Sequence, residues 1–139
     1  MRTGIPGILL WTGLVAGAMA ADPASLTLTV TDVPEADGEV WIALYNTEAT
    51  WLETPALVAT VAAEQGTARW ETELLAGDYA VAVFHDANRN GDLDRNIIGL
   101  PTEAYGFSNG ARGKYGPAKW GDARVQVGGS GTRMRISLE

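Results

Sequence analysis

Apolar and polar residues alternate along two early segments of the chain. Residues 25–31, SLTLTVT, carry Leu26, Leu28 and Val30 on one side and hydroxyl side chains on the other. Residues 39–45, EVWIALY, keep the same period of two. Because successive side chains of a β-strand point to opposite faces, this pattern predicts two strands, each with one face in a core.

Five further segments continue the β pattern, and turn residues separate most of them. One of them, residues 79–84, is apolar on both faces, as is typical of a strand at the centre of a sheet. No segment has a long helical period, although residues 46–53 could form one helical turn. The seven predicted strands indicate an all-β immunoglobulin-like or prealbumin-like sandwich, with a small β-barrel as the alternative. The five segments are residues 57–62, 68–74, 79–84, 123–127 and 134–138.

Residues 86–121 interrupt this series of strands without any sustained period. Connections of this length are uncommon in compact domains, and they usually carry a function or are disordered. This one contains many large apolar side chains, whereas disordered segments are poor in them. We therefore predict one long ordered loop that caps an end of the sandwich and carries the functional site.

The N-terminus has the features of a secretory signal peptide. Arg2 precedes an apolar stretch at residues 5–20, which ends in the small-residue cleavage pattern A-M-A at residues 18–20. A membrane anchor is the alternative, but glycine and proline interrupt the stretch, which is short for a span. The sequence predicts a signal peptide at 1–20, a single domain at 21–139, a periplasmic or secreted location, and no later membrane span.

The amino-acid composition of the chain excludes some classes of binding partner and of chemical site. The 139 residues include 10 basic and 17 acidic side chains, for a net charge of −7, and no cysteine. An acidic chain lacks the positive surface that binds phosphate backbones, so nucleic acid is not an expected partner. Without cysteine, the chain has no disulfide, no thiol nucleophile and no zinc–cysteine site. The expected partner is a protein, a glycan or an envelope component.

Oxygen-bearing side chains follow the central strand at the spacing of a calcium loop. Counted from Asp86, positions 1, 3, 5 and 9 are acidic or amide residues, and position 6 is Gly91. Calcium takes six to eight oxygen ligands, and glycine at position 6 permits the sharp turn round the ion. The predicted ligands are Asp86, Asn88, Asn90, Asp92 (through its backbone carbonyl), Asp94 and Glu103.

The loop differs from an EF-hand in two respects. Position 12 is Ile97 instead of a bidentate glutamate, and no helical pattern flanks the segment. We expect Glu103 to close the site, because the same long loop could fold it back. The alternative is a metal-free turn in which Asx-type hydrogen bonds hold Asp86, Asn88 and Asn90.

Residues 79–109 also resemble the hallmark of a known family. They contain H-D-x-N-x-N-G-x-x-D at residues 85–94 and G-x-P-x-E-x-Y-G-F-S-N at residues 99–109. The two segments are similar to those of an uncharacterised family of exported bacterial proteins, domain of unknown function number twenty-one forty-one. This resemblance implies a signal peptide and a β-sandwich-like domain over the rest of the chain. It implies no reaction, because the family has none assigned.

His85 is the single histidine and a candidate catalytic residue, because it adjoins Asp86. A periplasmic, hydrolase-like enzyme could use it as a general base oriented by Asp86 or Glu103. The alternative is a histidine at a strand end whose ring nitrogens bond to the long loop. An enzyme requires His85 in an open cleft, whereas a binding module predicts that it is covered and hydrogen-bonded.

Four aromatic side chains outside or at the edges of the predicted strands are candidate ligand contacts: Trp51, Tyr105, Tyr115 and Trp120. Exposed, coplanar rings would stack on sugars and define a glycan-binding module. The alternative is that these rings pack beneath the long loop. The leading prediction is an exported, non-enzymatic binding or accessory module of unknown ligand, whose cap is made rigid by calcium.

Overall fold

A computed structural model describes residues 23–64, 66–95, 97, 101–114 and 116–139, and these residues form two β-sheets. The predicted signal peptide at 1–20 lies outside the described residues. A 3₁₀ turn at Ser108–Gly110 and a helix α1 at Trp120–Ala123 join the strands. The strands are β1 (Pro23–Val33), β2 (Glu39–Tyr45), β3 (Leu57–Ala62), β4 (Gly66–Leu75), β5 (Gly77–Asp86), β6 (Tyr105–Phe107), β7 (Val125–Val127) and β8 (Thr132–Ser137).

The smaller sheet has the order β4-β1-β8. Strand β1 lies at its centre, antiparallel to β4 and parallel to β8, so the first and last strands are neighbours. A register shift between Thr31 and Val33 interrupts the pairing of β1 with β4. At the far end of β8, Glu139 exchanges backbone hydrogen bonds with Tyr105, which ties this sheet to β6 of the other sheet.

The larger sheet has the order β3-β2-β5-β6, and β7 pairs with the opposite end of β5. Strand β5 is therefore central, as its apolar faces predicted. It pairs with β2 along residues 39–45 and with β6 along residues 105–107. Its last residue, Asp86, delivers the chain directly into the loop that was predicted to bind calcium.

One hydrophobic core joins the inner faces of both sheets. The alternating residues that the sequence assigned to a core face are fully or almost fully covered, as expected from the period of two. A valine, leucine or isoleucine that is removed from water in this way contributes about 1.5–3 kcal/mol. The most deeply buried members are Leu26, Leu28 and Val30 of β1, Val40, Ile42 and Leu44 of β2, Val81 and Val83 of β5, and Ile136 of β8.

The all-β prediction is confirmed, with eight strands among the described residues where seven were expected. The described residues form no closed barrel, so the barrel alternative is wrong. The single capping loop at 86–121 also needs correction, because it contains β6, the 3₁₀ turn and the start of α1. Strand β6 forms because residues 105–107 complete the free edge of β5. Among the described residues, no helix has the length and apolarity needed to cross a membrane.

Candidate functional site

The loop after β5 is organised around the carboxylate of Asp86. This side chain is fully buried, and both of its oxygens accept hydrogen bonds from the loop backbone. Oδ1 accepts from the amide of Asn90 at 3.1 Å, and Oδ2 accepts from the amide of Gly91 at 2.8 Å. Gly91 has φ +81°, a conformation that glycine adopts without a steric penalty. Asp86 therefore makes the chain turn back on itself at residues 90–91.

Two asparagines connect the turn to Asp94 through short hydrogen bonds. The amide groups of Asn88 and Asn90 donate to the two carboxylate oxygens of Asp94, each at 2.6 Å. Their own oxygens accept from the backbone amides of Asn90 and Asp92, at 3.2 Å and 3.0 Å. These are the local hydrogen bonds of Asx turns. Asp92 takes part through its backbone amide, and its side chain is exposed.

Glu103 clasps the two ends of this loop. Its Oε2 accepts from the amide of Ala87 at 2.9 Å, and its Oε1 accepts from the amide of Asp94 at 2.9 Å. The chain returns to the loop because the backbone amide of Thr102 donates to the carbonyl of Asp94. The structure thus brings together all six residues that the sequence selected as calcium ligands, and Glu103 holds the loop through backbone amides.

The loop offers a mixed set of carboxylate and amide oxygens. In the part of the chain that the structure describes, no three acidic or histidine side chains meet in the geometry of a metal site. Any cation bound here would therefore need the oxygens of Asn88 and Asn90 as well as those of Asp86 and Asp94. Hard oxygen ligands of this kind suit calcium or magnesium, and they do not suit a soft transition metal.

His85 is covered by the surrounding structure and is hydrogen-bonded to backbone groups. It is 2% exposed, and its Nε2 lies 2.6 Å from the backbone carbonyl oxygen of Asp37, so this nitrogen carries the proton and donates. Its backbone amide donates to Ala104. No hydrogen bond among the described residues joins the imidazole to Asp86 or Glu103. The candidate catalytic residue therefore connects the turn before β2 to the end of β5.

The family of the chain can be assigned from a match over most of its length. The model of a family described as "Uncharacterized protein conserved in bacteria (DUF2141)" matches residues 28–135. The chain belongs to this family. The match extends from β1 to β8, and it includes the loop after β5 and Glu103. The resemblance drawn from the sequence is thus confirmed, while no curated protein and no solved structure matches the chain significantly.

Ser108 of this DUF2141 protein is an internal bridge. Its side chain is fully buried: Oγ accepts from the backbone amide of Val81 at 2.9 Å and donates to the carbonyl of Ala123 at 2.5 Å. It therefore connects the central strand β5 to helix α1 through the 3₁₀ turn. Buried backbone groups require such partners, because neither can reach water.

Replacing this serine should destabilise the protein measurably. We expect Ser108→Ala to lower the free energy of unfolding by about 2 kcal/mol, because it leaves a buried amide and a buried carbonyl without partners. Ser130→Ala, at an exposed turn, is the matched control and should change the same quantity by less than about 0.5 kcal/mol. Urea denaturation of both variants measures the difference, and equal small losses would show that the bridge contributes nothing.

The candidate aromatic residues form a cluster of half-buried rings with edge-on contacts. The rings of Trp51 and Trp120 are 6.1 Å apart at 68°, and those of Tyr105 and Phe107 are 5.8 Å apart at 73°. The indole of Trp51 donates to the carbonyl of Ala118 at 2.8 Å. Tyr115 lies outside the described residues. Packing of this kind gives the connecting segment a hydrophobic floor, and it does not present a flat pair of rings to a sugar.

A row of three rings crosses the outer face of the larger sheet, and of these only Tyr105 was among the candidates from the sequence. Trp41 of β2 lies opposite Phe84 of β5, and Phe84 lies opposite Tyr105 of β6. The Trp41 and Phe84 rings are stacked at 6.0 Å and 13°. The available signal was the aromatic residues at outward positions of two predicted strands. Recognising the row also required the order of the strands.

This row of rings forms part of a cleft of about 370 Å³ on the same face. Leu93 and Arg95, from the end of the loop after β5, form part of its lining. Gly91 lies against the Trp41 ring, since a β-carbon at that position would be 3.7 Å from it. Burial raises the pKa of the Tyr45 hydroxyl, at the other end of the cleft, above its ordinary value. The end of the loop after β5 therefore forms part of the wall of the cleft.

Proposed function

We propose that the protein is an exported, non-enzymatic binding or accessory module, acting in the periplasm or outside the cell. The observation that carries this proposal is the covered state of His85 and Asp86. The Asp86 side chain holds the loop and the His85 side chain is bonded to the turn before β2, whereas a general base must be able to reach its substrate. The signal-peptide pattern at 1–20 supports export. Two sheets packed around one core support an immunoglobulin-like or prealbumin-like sandwich as the scaffold.

The loop after β5 is the part that we propose binds calcium. Five of its oxygen-bearing side chains converge within a span of eighteen residues, and two hydrogen bonds of 2.6 Å join Asp94 to both asparagines. A cation would take the place of the two amide protons between these groups. For this, the side-chain amides of Asn88 and Asn90 would turn so that their oxygens face Asp94.

Turning the amides would break two backbone hydrogen bonds of the loop, which the bound ion must outweigh. The backbone amide of Asn90 has a second acceptor in Asp86 Oδ1, at 3.1 Å, so it keeps a partner when the Asn88 oxygen turns away. The amide of Asp92 lies at an exposed residue, where water can replace the lost bond. Calcium bound here would hold residues 86–94 in one conformation, and with them the lining of the cleft.

The cleft is the surface on which we propose that the ligand binds. Its volume is in the range of small-ligand sites, and its rings provide apolar contact area with few polar groups. Trp41, one of the lining residues, has a buried indole nitrogen with no hydrogen-bond partner among the described residues. The same cleft could accept part of a protein, a glycan or an envelope component.

A matched pair of variants tests the calcium site. With 1 mM calcium and a Kd of about 0.1 mM, binding should stabilise the chelator-treated protein by roughly 1.4 kcal/mol. The melting temperature should rise by about 4–8 °C. Asp94→Asn should lose this rise, because it removes the charge between the two asparagines. Asp92→Asn should keep it, because the same change affects only an exposed side chain.

The melts are read together with tryptophan fluorescence, since the Trp41 ring lies beside Gly91 and should respond to the ion. If calcium shifts neither the melting temperature nor the fluorescence of the unsubstituted protein, the loop is a metal-free polar turn. If both aspartate variants keep the full shift, the ion binds elsewhere. Magnesium, tested in parallel, distinguishes a flexible calcium site from one that accepts either ion.

A further inference from the structure

Three arginines lie close together on the outer face of the smaller sheet. Arg133 and Arg135 of β8 pair with Thr27 and Thr29 of β1, and Thr29 also pairs with Arg69 of β4. Residues two apart on a strand are about 7 Å apart, and strands are about 4.8 Å apart. The three arginine backbones thus mark a triangle with sides of about 7 and 10 Å, with two threonines between them. Together they line a shallow cleft of about 230 Å³.

Two of these guanidinium groups form no ion pair with the residues that the structure describes. Within the described residues, neither Arg133 nor Arg135 forms an ion pair or a side-chain hydrogen bond, although both are exposed. Arg69 is bound to Glu71 at 3.0 Å, and Glu71 pairs with Thr27 on the side opposite Arg133. The arrangement contrasts with the rest of a chain whose net charge is −7. Like charges placed side by side repel one another, and an anion between them removes the repulsion.

We propose that this face is a binding site for a phosphate-class oxyanion, which Arg133 and Arg135 hold between them. Each guanidinium presents parallel N–H groups that match two oxygens of a phosphate, and the hydroxyls of Thr27 and Thr29 can donate to the remaining oxygen. A phosphate monoester carries up to two negative charges and three acceptor oxygens. A carboxylate offers one charge and two oxygens, and so it would satisfy this set of donors less completely.

This site is separate from the proposed calcium loop and from the aromatic cleft. It lies on the opposite sheet, and its residues come from β1, β4 and β8. The phosphate group could belong to a soluble phosphorylated compound or to a lipid headgroup at the envelope. The recognition chemistry is the same in both cases, so the experiment has one arm for each source.

The first arm is a titration of the ¹⁵N-labelled protein with inorganic phosphate at constant ionic strength. We expect saturable NMR shifts at the amides of Thr27, Thr29, Arg133 and Arg135. Arg133→Gln combined with Arg135→Gln should weaken binding on the order of tenfold or more. Arg135→Lys should also bind less tightly, because lysine keeps the charge and loses the paired donors. Arg124→Gln, which removes an arginine near Asp78, is the matched control and should bind phosphate unchanged.

The second arm measures sedimentation with vesicles of phosphatidylcholine, with and without one quarter phosphatidylglycerol. Binding that requires phosphatidylglycerol and both arginines identifies a lipid source, whereas phosphate binding without vesicle binding identifies a soluble one. The proposal is overturned if neither probe binds, if chloride reproduces the shifts, or if the double variant binds as tightly as the unsubstituted protein. Unchanged amide shifts in the larger sheet show that the exposed β8 substitutions leave the fold intact.

Discussion

Gly38→Ala is expected to lower the free energy of unfolding by about 4 kcal/mol and to displace the loop after β5. Gly38 has φ +84°, so any larger residue there costs about 1–2 kcal/mol of backbone strain. A β-carbon at this position would also lie 2.3 Å from the carbonyl oxygen of Asp86 and 2.7 Å from the α-carbon of Ala87. These are backbone atoms, so the clash can be relieved only by moving the start of the loop.

Gly66→Ala separates the two causes. Gly66 has nearly the same conformation, φ +85°, but its missing side chain would meet nothing within 4 Å. This variant should therefore lose about 1–2 kcal/mol from strain alone. Urea denaturation measures both losses, and the chemical shifts of residues 86–91 report on the loop. Equal losses at the two glycines would mean that the turn at residues 37–38 does not support the loop.

The strands could be predicted where the period of two extends over several residues. Strands β1, β2 and β5 show it clearly, because one face of each meets the core. Strand β6 could not be predicted in this way, since its three residues, Tyr105–Phe107, are too few to show a period. It is a strand because β5 offers a free edge at residues 82–84. The sequence of the segment itself does not contain that information.

The residues of the candidate site could be predicted from the sequence, but their hydrogen bonds could not. The spacing from Asp86 to Asp94 identified a loop that turns sharply at Gly91, and the long connection allowed Glu103 to return to it. The partners of Glu103 are backbone amides, which no spacing of side chains can reveal. The covered position of His85 likewise depends on a hydrogen bond to the carbonyl of Asp37, which lies in the turn before β2.

The two surfaces that the sequence analysis missed depend on strand order. The ring row requires β2, β5 and β6 to be neighbours in one register. The arginine triangle requires the last strand to pair with the first, in parallel, which brings Arg135 and Arg69 to either side of Thr29. Alternation along a strand shows which of its residues share a face. Only the pairing of the strands shows which residues of different strands lie side by side on that face.

Glu103→Ala should lower the free energy of unfolding by about 3 kcal/mol, which is the second large effect that we expect. Hydrogen bonds from neutral donors to a carboxylate contribute about 1.5–3 kcal/mol each, and Glu103 accepts two of them at 2.9 Å. Both donors are backbone amides at the ends of the loop. Removing the side chain therefore frees both ends at once, and the loop opens at a lower free energy than the sheets.

Hydrogen exchange shows where Glu103→Ala loses stability, and a conservative variant shows how much of the loss depends on each oxygen of Glu103. The amides of Ala87 and Asp94 should exchange much faster in Glu103→Ala, while amides of β1 should follow global unfolding. Glu103→Gln keeps one acceptor oxygen, so it should lose about half as much stability and protect one amide. Glu73→Ala, at an exposed position of β4, should change stability by less than about 0.5 kcal/mol. Protection that persists at both loop amides in Glu103→Ala would show that the loop is held without the clasp, through Asp86 alone.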